Sequence, residues 1–267
     1  MTPFAQLNYP WGFKKYTYIN KTYGLASQWD GISLGWSAQM RRWKLVWESD
    51  APASTFFLTH ISHYGRSAES LFGATCREQV LQHNGTLLAM YKIESEEPHP
   101  YVTGVVPIDA IKQMKEDESG WIFFDGGSVL FAVKFCHPYT WDEDRVFRGV
   151  KHKMLRCDQR GTAAVIETCL PDKYQPTGTK TNKLQYIVTK PEYRQTIYHS
   201  LSGDTLKIIY NYGRFVNGEK VDYKNWPLYS NPWMEQAVNG RFLNVSHGKE
   251  SRVYDFRNWN VIDSKEN

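Results

Sequence analysis

Gln79-Val-Leu-Gln-His-Asn-Gly-Thr-Leu-Leu-Ala-Met-Tyr-Lys-Ile93 is the stretch of sequence that says most about the fold. Its centre is Asn84-Gly85, a pair in which both residues tolerate positive φ and which favours a type I′ hairpin turn. β-type residues lie on both sides of this pair. The stretch therefore predicts two antiparallel strands, Gln79 to Gln82 and Thr86 to Ile93, joined by a tight turn.

The same pattern of short β-type runs around turn residues predicts four more hairpins along the chain. They pair Trp121 to Phe124 with Val129 to Phe135 across Asp125-Gly126-Gly127, Gln195 to Leu201 with Leu206 to Tyr210 across Ser202-Gly203-Asp204, Arg214 to Val216 with Lys220 to Tyr223 across Asn217-Gly218, and Phe242 to Ser246 with Arg252 to Phe256 across His247-Gly248. Further strands are predicted at Trp43 to Trp47, where residues alternate with period two, and at Thr55 to Ile61.

Helical periodicity is nearly absent from the sequence. One short helix is predicted from Pro107 to Met114, because proline suits the first turn of a helix. Ten or more strands with at most one short helix predict an all-β fold, a large antiparallel β-supersandwich of stacked sheets. We expect residues 1–267 to form a single domain, with a frayed tail at residues 263–267.

Composition narrows the classes of function. A net charge of +4 over 267 residues is too weak for a dedicated nucleic-acid binder, and 15% aromatic residues exclude a disordered chain. The sequence contains no run of 18 or more apolar residues and no signal-peptide pattern at its start. We therefore expect a soluble chain without a membrane or nucleic-acid partner, either cytoplasmic or secreted as part of a longer precursor.

Familiar motifs for nucleotide binding, serine hydrolysis and zinc proteolysis are missing, since the sequence holds no GxGxxG, GxxxxGK[ST], GxSxG or HExxH. The four cysteines are widely spaced and form no CxxC pair, so buried free thiols are expected. The histidines and aspartates supply enough ligands for a structural zinc or calcium ion, but their spacing in the sequence does not indicate which of them would bind it. We predict no cofactor.

Candidate catalytic residues cluster around the end of the strand predicted at Thr55 to Ile61. His60, His63 and Tyr64 bring two imidazoles and a phenol to a strand end and the loop beyond it. An imidazole can transfer protons near neutral pH. The alternative is that one histidine packs in the core and the other is solvated.

Two other clusters carry groups suited to binding sugars. The segment from Tyr16 to Gln28 is dense in tyrosine and amide side chains, among them Asn20 and Tyr23, which can donate to and accept from sugar hydroxyls. The second cluster begins at Arg77 and includes Gln79; the Arg77 guanidinium could pair with a carboxylate. The alternative for this second cluster is a polar strand face with ordinary surface ion pairs.

Several spaced segments resemble the C-terminal β-sheet domain of heparinase II/III-like polysaccharide lyases. They are Asn20-Lys-Thr-Tyr-Gly-Leu-Ala-Ser-Gln28, Gln39-Met-Arg-Arg-Trp43, Thr55-Phe-Phe-Leu-Thr-His60, Arg77-Glu-Gln79, Gly85-Thr-Leu-Leu-Ala-Met-Tyr91, Gly203-Asp-Thr-Leu206, Asn217-Gly-Glu-Lys-Val-Asp222 and Trp226-Pro-Leu228. The resemblance implies a β-supersandwich that normally follows a helical (α/α) toroid, with a cleft for an acidic polysaccharide between the two. The chain has no room for the toroid, so we expect a detached C-terminal part or a protein that has kept only the sheets.

β-Elimination at a uronate needs a group that neutralises the carboxylate, a base and an acid. The resemblance assigns such roles to His60, Arg77 and Gln79, while chemistry and proximity add Tyr23, Gln39, His63 and Tyr64. One functional hypothesis is thus a lyase acting on an acidic polysaccharide. The alternatives are a non-catalytic carbohydrate-binding or structural module whose aromatic rows stack on sugars, and an interaction domain that packs on a helical toroid partner.

Overall fold

The computed structural model describes residues 4–8, 14–30, 42–60, 78–147, 149–173, 184–190, 193–238 and 240–265. These residues form 24 β-strands and three single-turn 3-10 helices, at Ile108–Ala110, Pro171–Lys173 and Tyr223–Asn225. The predicted all-β fold is therefore confirmed. Within these ranges, no helix has both the length and the apolar character needed to span a membrane.

The strands are short and follow one another closely along the chain. The first twelve are β1 (Phe4–Asn8), β2 (Lys14–Ile19), β3 (Tyr23–Asp30), β4 (Trp43–Trp47), β5 (Thr55–His60), β6 (Glu78–His83), β7 (Thr86–Lys92), β8 (Val102–Pro107), β9 (Gln113–Glu116), β10 (Trp121–Asp125), β11 (Leu130–Phe135) and β12 (Thr140–Phe147). The second twelve are β13 (Val150–Cys157), β14 (Gly161–Cys169), β15 (Leu184–Lys190), β16 (Tyr193–His199), β17 (Thr205–Ile209), β18 (Gly213–Val216), β19 (Glu219–Lys220), β20 (Tyr229–Ser230), β21 (Met234–Gln236), β22 (Phe242–His247), β23 (Glu250–Asp255) and β24 (Asn260–Lys265).

These strands pair into three antiparallel sheets. The largest has 13 strands in the order β12-β13-β8-β5-β4-β3-β2-β1-β20-β21-β22-β23-β24. The second has six, in the order β6-β7-β14-β11-β10-β9, and the third has five, in the order β15-β16-β17-β18-β19. Strand β5 joins the two parts of the largest sheet, because Phe56 lies opposite Leu45 of β4 and Phe57 lies opposite Val105 of β8.

The six-stranded sheet is the middle layer of a stacked arrangement. On one face, the Phe124 ring lies 5.8 Å from Phe56 of the 13-stranded sheet. On the other face, the Trp121 ring lies 6.3 Å from Tyr198 of the five-stranded sheet. Side chains of β7 from Thr86 to Tyr91 are all buried, as a strand covered on both faces requires.

One buried arginine ties the three layers together. Arg214 of β18 donates from Nε to the carbonyl of Val80 in β6 at 2.6 Å, and from Nη2 to the carbonyl of Trp29 in β3, also at 2.6 Å. Its guanidinium also lies 4.8 Å from the ring centroid of Tyr223. A single side chain therefore contacts all three sheets, and only the planar fork of arginine can reach both carbonyls.

All five predicted hairpins are present, but the turn type differs from the prediction at the first. Asn84 has a φ of 50°, whereas Gly85 is outside the left-handed region, so the predicted type I′ turn is wrong at this position. Both central residues do have positive φ at the turn between β18 and β19, where Asn217 is at 52° and Gly218 at 86°. Both Asn-Gly pairs nevertheless join adjacent antiparallel strands.

The helix predicted from Pro107 to Met114 is wrong beyond its first turn. A 3-10 helix covers Ile108–Ala110, and the chain then extends into β9. Strand pairing explains the difference, because the Lys112 N–H donates to the carbonyl of Asp125 at 2.7 Å and β9 pairs with β10. The tail expected to fray from residue 263 is paired with β23 as far as Lys265.

Candidate functional site

The structure describes four of the eight residues predicted to form a site. Those four are Asn20, Tyr23, His60 and Gln79. The other four, Gln39, His63, Tyr64 and Arg77, lie outside the described residues.

His60 ends β5 with its imidazole inside the molecule, where only 1% of the residue is exposed. Its Nε2 donates to the backbone carbonyl of His99 at 2.9 Å. The pKa of His60 is lowered, chiefly because burial disfavours the charged ring. The catalytic role of His60 stays a prediction, and this burial counts against contact with a polymer substrate.

Tyr23 and Asn20 come together at the turn between β2 and β3. The backbone N–H of Asn20 donates to the carbonyl of Tyr23 at 2.8 Å, which closes the turn. The Tyr23 ring is buried, and its hydroxyl lies 3.4 Å from the hydroxyl of Thr168. Burial raises the pKa of Tyr23, so its phenol stays protonated and is a poor base at neutral pH.

An open groove of about 510 Å³ runs along the outer face of β2, β3 and β4 beside this turn. Gly24 contributes to its floor, with Ile19 opposite on β2 and Val46 opposite on β4. Lys21 and Glu48 place an ammonium and a carboxylate on its lining. The groove offers an apolar floor and two oppositely charged lining residues, but its aromatic residues Tyr23 and Trp47 are buried and expose no ring face for stacking on a sugar.

The strand register separates His60 from this groove. Val46 lies opposite both Gly24 of β3 and Thr55 of β5, so the groove is level with the first residue of β5. His60 is the last residue of that strand, five residues on, which corresponds to about 17 Å at the rise of a β-strand. The structure thus brings Asn20 and Tyr23 together and leaves His60 at the other end of the sheet.

The side-chain amide of Gln79 is hydrogen-bonded to another residue of the protein. Its Nε2 donates to Asn211 Oδ1 at 2.5 Å, and its Oε1 accepts from the Asn211 backbone N–H at 3.1 Å. This reciprocal pair fixes β6 to the turn after β17, where Asn211 has a φ of 58°. The binding role predicted for Gln79 stays a prediction, since this amide would have to leave Asn211 to bind a sugar.

A different surface, the turn between β23 and β24, presents aromatic rings to solvent. Phe256, Arg257, Asn258 and Trp259 form this turn, which we call the aromatic tip. Trp259 is 83% exposed and Phe256 is 42% exposed, and their rings meet edge to face at 6.3 Å. Trp259 also has a φ of 55°, a left-handed conformation that is uncommon for a bulky residue.

Asp255 holds the aromatic tip in this shape. Its carboxylate accepts the Arg257 backbone N–H at 2.9 Å and also accepts the backbone N–H of Asn258. Arg241 donates to the same carboxylate from both Nε and Nη2. These bonds lower the pKa of Asp255 to about 2, with the Arg241 hydrogen bond as the largest cause.

Arg241 and Phe242, at the start of β22, lie next to the aromatic tip and add a further guanidinium and a further exposed ring. The Phe256 backbone N–H donates to the carbonyl of Arg241 at 3.0 Å, which links the aromatic tip to the start of β22. The Arg241 guanidinium lies 4.8 Å from the ring centroid of Phe242, a residue that is 42% exposed. Three exposed rings and two guanidiniums therefore lie on adjacent segments.

None of the aromatic-tip residues is among the site residues predicted from the sequence. The available signal was the segment Asp255-Phe-Arg-Asn-Trp-Asn260, in which turn-forming residues bracket two aromatic residues. Aromatic side chains are normally strand or core residues, so a pair of them in a tight turn is a sign of an exposed role. The described residues contain no group of three or more His, Cys, Asp or Glu arranged to hold a metal ion.

Comparison with known proteins adds no relative: no family model, no curated protein and no solved structure matches this chain.

Proposed function

We propose that this chain is a non-catalytic carbohydrate-binding module that binds an acidic polysaccharide at the aromatic tip. The proposal follows the second of the functional hypotheses drawn from the sequence. β-Elimination receives less support, because the described candidates for base and acid are buried and lie at opposite ends of one sheet.

The observation that carries the proposal is the exposed, strained Trp259. A left-handed conformation costs a non-glycine residue roughly 1–2 kcal/mol. The exposed ring of Trp259 does not offset this cost in the free protein, because it buries no apolar surface there. Glycine or asparagine at position 259 would form this turn with less strain. A strained backbone at an exposed aromatic residue is typical of a binding site, where the residue contributes favourable free energy only when a ligand is bound.

The chemistry of the aromatic tip suits a sugar acid. An indole or phenyl face packs against the C–H groups of a pyranose ring, and an exposed ring beside polar groups is typical of an amphipathic binding surface. Arg257 and Asn258 are exposed within the same turn and offer donors for a carboxylate and for hydroxyls. Because Asp255 and Arg241 already hold the turn, little conformational entropy is lost on binding.

Isothermal titration calorimetry with oligouronates and neutral gluco-oligosaccharides tests the proposal. Trp259→Ala and Phe256→Ala should each weaken binding at least about tenfold, which corresponds to roughly 1.4 kcal/mol. Arg257→Gln should weaken binding of oligouronates and leave neutral sugars unaffected. Tyr212→Ala is the matched control, since Tyr212 is an exposed ring stacked on Phe215 in the five-stranded sheet.

Two results would overturn the proposal. One is oligouronate binding by Trp259→Ala with the affinity of the unchanged protein. The other is the appearance of absorbance from unsaturated uronide ends during incubation with a polyuronate, which would restore the lyase hypothesis. Loss of that absorbance in His60→Ala would then assign the reaction to His60.

A further inference from the structure

A thiol, an imidazole and a hydroxyl meet where β11 ends beside β14, far along the chain from the aromatic tip. Cys136 Sγ lies 3.1 Å from His137 Nδ1 and 3.4 Å from Thr162 Oγ1. The same hydroxyl oxygen lies 3.1 Å from His137 Nδ1. The backbone N–H of Ala163 donates to Sγ at 3.1 Å, and neither Cys136 nor His137 is fully buried.

We propose that Cys136 is a nucleophilic thiol that exchanges with low-molecular-weight disulfides, and that His137 is the base that takes its proton. The Cys136 and His137 side chains are already in contact in the folded chain, as a nucleophile and its base must be. Thr162 contacts both groups, and Ala163 supplies a fixed donor to the sulfur that carries the developing negative charge.

The reaction is a balanced exchange. With the ring proton of His137 on Nε2, Nδ1 accepts the proton of the Cys136 thiol as the sulfur attacks one sulfur of the disulfide. The bond between Cys136 Sγ and that sulfur forms while the original S–S bond breaks, and its electron pair leaves with the second sulfur. His137 returns the proton to this leaving thiolate, so the products are a mixed disulfide at Cys136 and one free thiol.

Burial keeps both groups in the neutral forms from which this proton transfer starts. Burial raises the pKa of Cys136, so its thiol keeps its proton near neutral pH and needs a base to react. Burial lowers the pKa of His137, so its ring is neutral and able to accept. From the five-stranded sheet, the Tyr186 ring lies 5.9 Å from the His137 ring, and Arg194 Nη1 lies 3.5 Å from the Tyr186 hydroxyl.

The other described cysteines provide internal comparisons. Cys157 Sγ lies 3.7 Å from Thr162 Oγ1, but it is buried and its pKa is raised to about 11. Cys169 is half-buried and is also a free thiol. In the described ranges, Cys136 is the cysteine with an imidazole within hydrogen-bond distance. If exposure alone determined reactivity, Cys136 and Cys169 should react at similar rates. If His137 acts as a base, Cys136 should react faster than Cys169.

The test uses the full chain with Cys76→Ser, so that the three described thiols compete for glutathione disulfide. Peptide mass mapping over time should show the mixed disulfide at Cys136 at least about tenfold faster than at Cys169, given the usual effect of a general base. His137→Gln should remove most of this advantage at Cys136 and leave the Cys169 rate unchanged.

The comparison between Cys136 and Cys169 within one folded protein does not depend on any variant at the site. Equal rates at the two cysteines would overturn the proposal. An undiminished Cys136 rate in His137→Gln would also overturn it, provided that near-ultraviolet circular dichroism shows the native fold. Neither result would bear on carbohydrate binding at the aromatic tip, which the Trp259→Ala titration tests separately.

Discussion

Gly85 is required by a close contact at the turn between β6 and β7. A Cβ at this position would lie 2.8 Å from Thr168 Oγ1 and 2.9 Å from the Thr168 carbonyl oxygen. The Gly85 carbonyl meanwhile accepts bonds from the Thr168 N–H at 3.0 Å and from its hydroxyl at 2.8 Å. The neighbouring strand cannot retreat without losing these bonds.

We therefore expect Gly85→Ala to lower the free energy of unfolding by about 1–3 kcal/mol through overpacking. Gly24→Ala is the control, because a Cβ there meets only the Tyr18 carbonyl oxygen, at 3.9 Å. That substitution should be neutral or stabilising by about 0.5 kcal/mol, since alanine loses less chain entropy on folding. Urea denaturation of both variants measures the difference, and equal midpoints would contradict the explanation.

Burial of imidazoles predicts the acid response of the fold. The pKa of His60 is lowered in the folded chain, so below about pH 6.5 the unfolded chain binds the proton more readily. Stability should fall as the pH falls from 6.5 through the lowered pKa, with a slope of up to about 1.4 kcal/mol per pH unit for each such imidazole. Above pH 6.5 the ring is neutral in both states and contributes no pH dependence.

His60→Gln should make this slope smaller without abolishing it, because burial also lowers the pKa values of His137 and His152. Urea midpoints compared at about pH 7.5 and pH 5.5 measure the effect. His247→Gln serves as the control, since His247 is exposed at the end of β22. A slope that is the same in His60→Gln and in the parent protein would contradict the burial argument.

At the scale of elements, the hairpin of β23 and β24 depends on one carboxylate. Asp255 accepts bonds from the Arg257 N–H and from Arg241, and its pKa is lowered to about 2. A lowered pKa means that this contribution is complete above the unfolded value of 3.8 and is lost as the pH falls through about 2. The aromatic tip should therefore keep its shape at all ordinary pH values.

Asp255→Asn removes the charge but keeps one acceptor oxygen, so it should loosen the aromatic tip without unfolding the sheet. We expect hydrogen exchange at the amides of Arg257 and Asn258 to become several-fold faster at neutral pH. Glu250→Gln, at the opposite end of β23, is the matched control and should leave those two amides unchanged. Unaltered protection in Asp255→Asn would show that the backbone alone maintains the turn.

At the scale of the whole molecule, Arg214 links the three stacked sheets. Its guanidinium is 6% exposed and makes two short bonds to carbonyls of different sheets. Hydrogen bonds from charged groups contribute about 1.5–3 kcal/mol each. Removal of the guanidinium also takes this hydrogen-bond donor away from the carbonyls of Val80 and Trp29. Arg214→Met should therefore lower the free energy of unfolding by about 3 kcal/mol or more.

Arg257→Met is the matched control, because Arg257 is exposed in the aromatic tip and its loss should change stability by less than about 0.5 kcal/mol. Arg214→Lys distinguishes charge from geometry, since an ammonium cannot span both carbonyls. We expect the lysine variant to be nearly as unstable as the methionine variant. Full stability of Arg214→Lys in urea denaturation would show that the positive charge alone is sufficient.

Local residue patterns were sufficient for the fold class and for the five hairpins. Turn residues such as Asn217-Gly218 and runs of β-branched and aromatic residues act over a few positions, so their effect can be inferred without knowing the rest of the chain. Local patterns were insufficient where a distant partner competed. Met114 was predicted in a helix and lies in β9, because β10 supplies an edge for it to pair with.

The same limit applies to the candidate site, because local patterns do not show how far apart two residues lie in the fold. His60 and Tyr23 are both suited to proton transfer by residue type, but the register through β4 places them at opposite ends of a sheet and burial shifts their pKa values. The sequence by itself determined that this chain is an antiparallel β-protein rich in hairpins. Only the tertiary structure decided the order of the sheets, the three-layer contact through Arg214, and the exposure of Trp259. Those features depend on contacts between residues far apart in the chain, which local preferences do not encode.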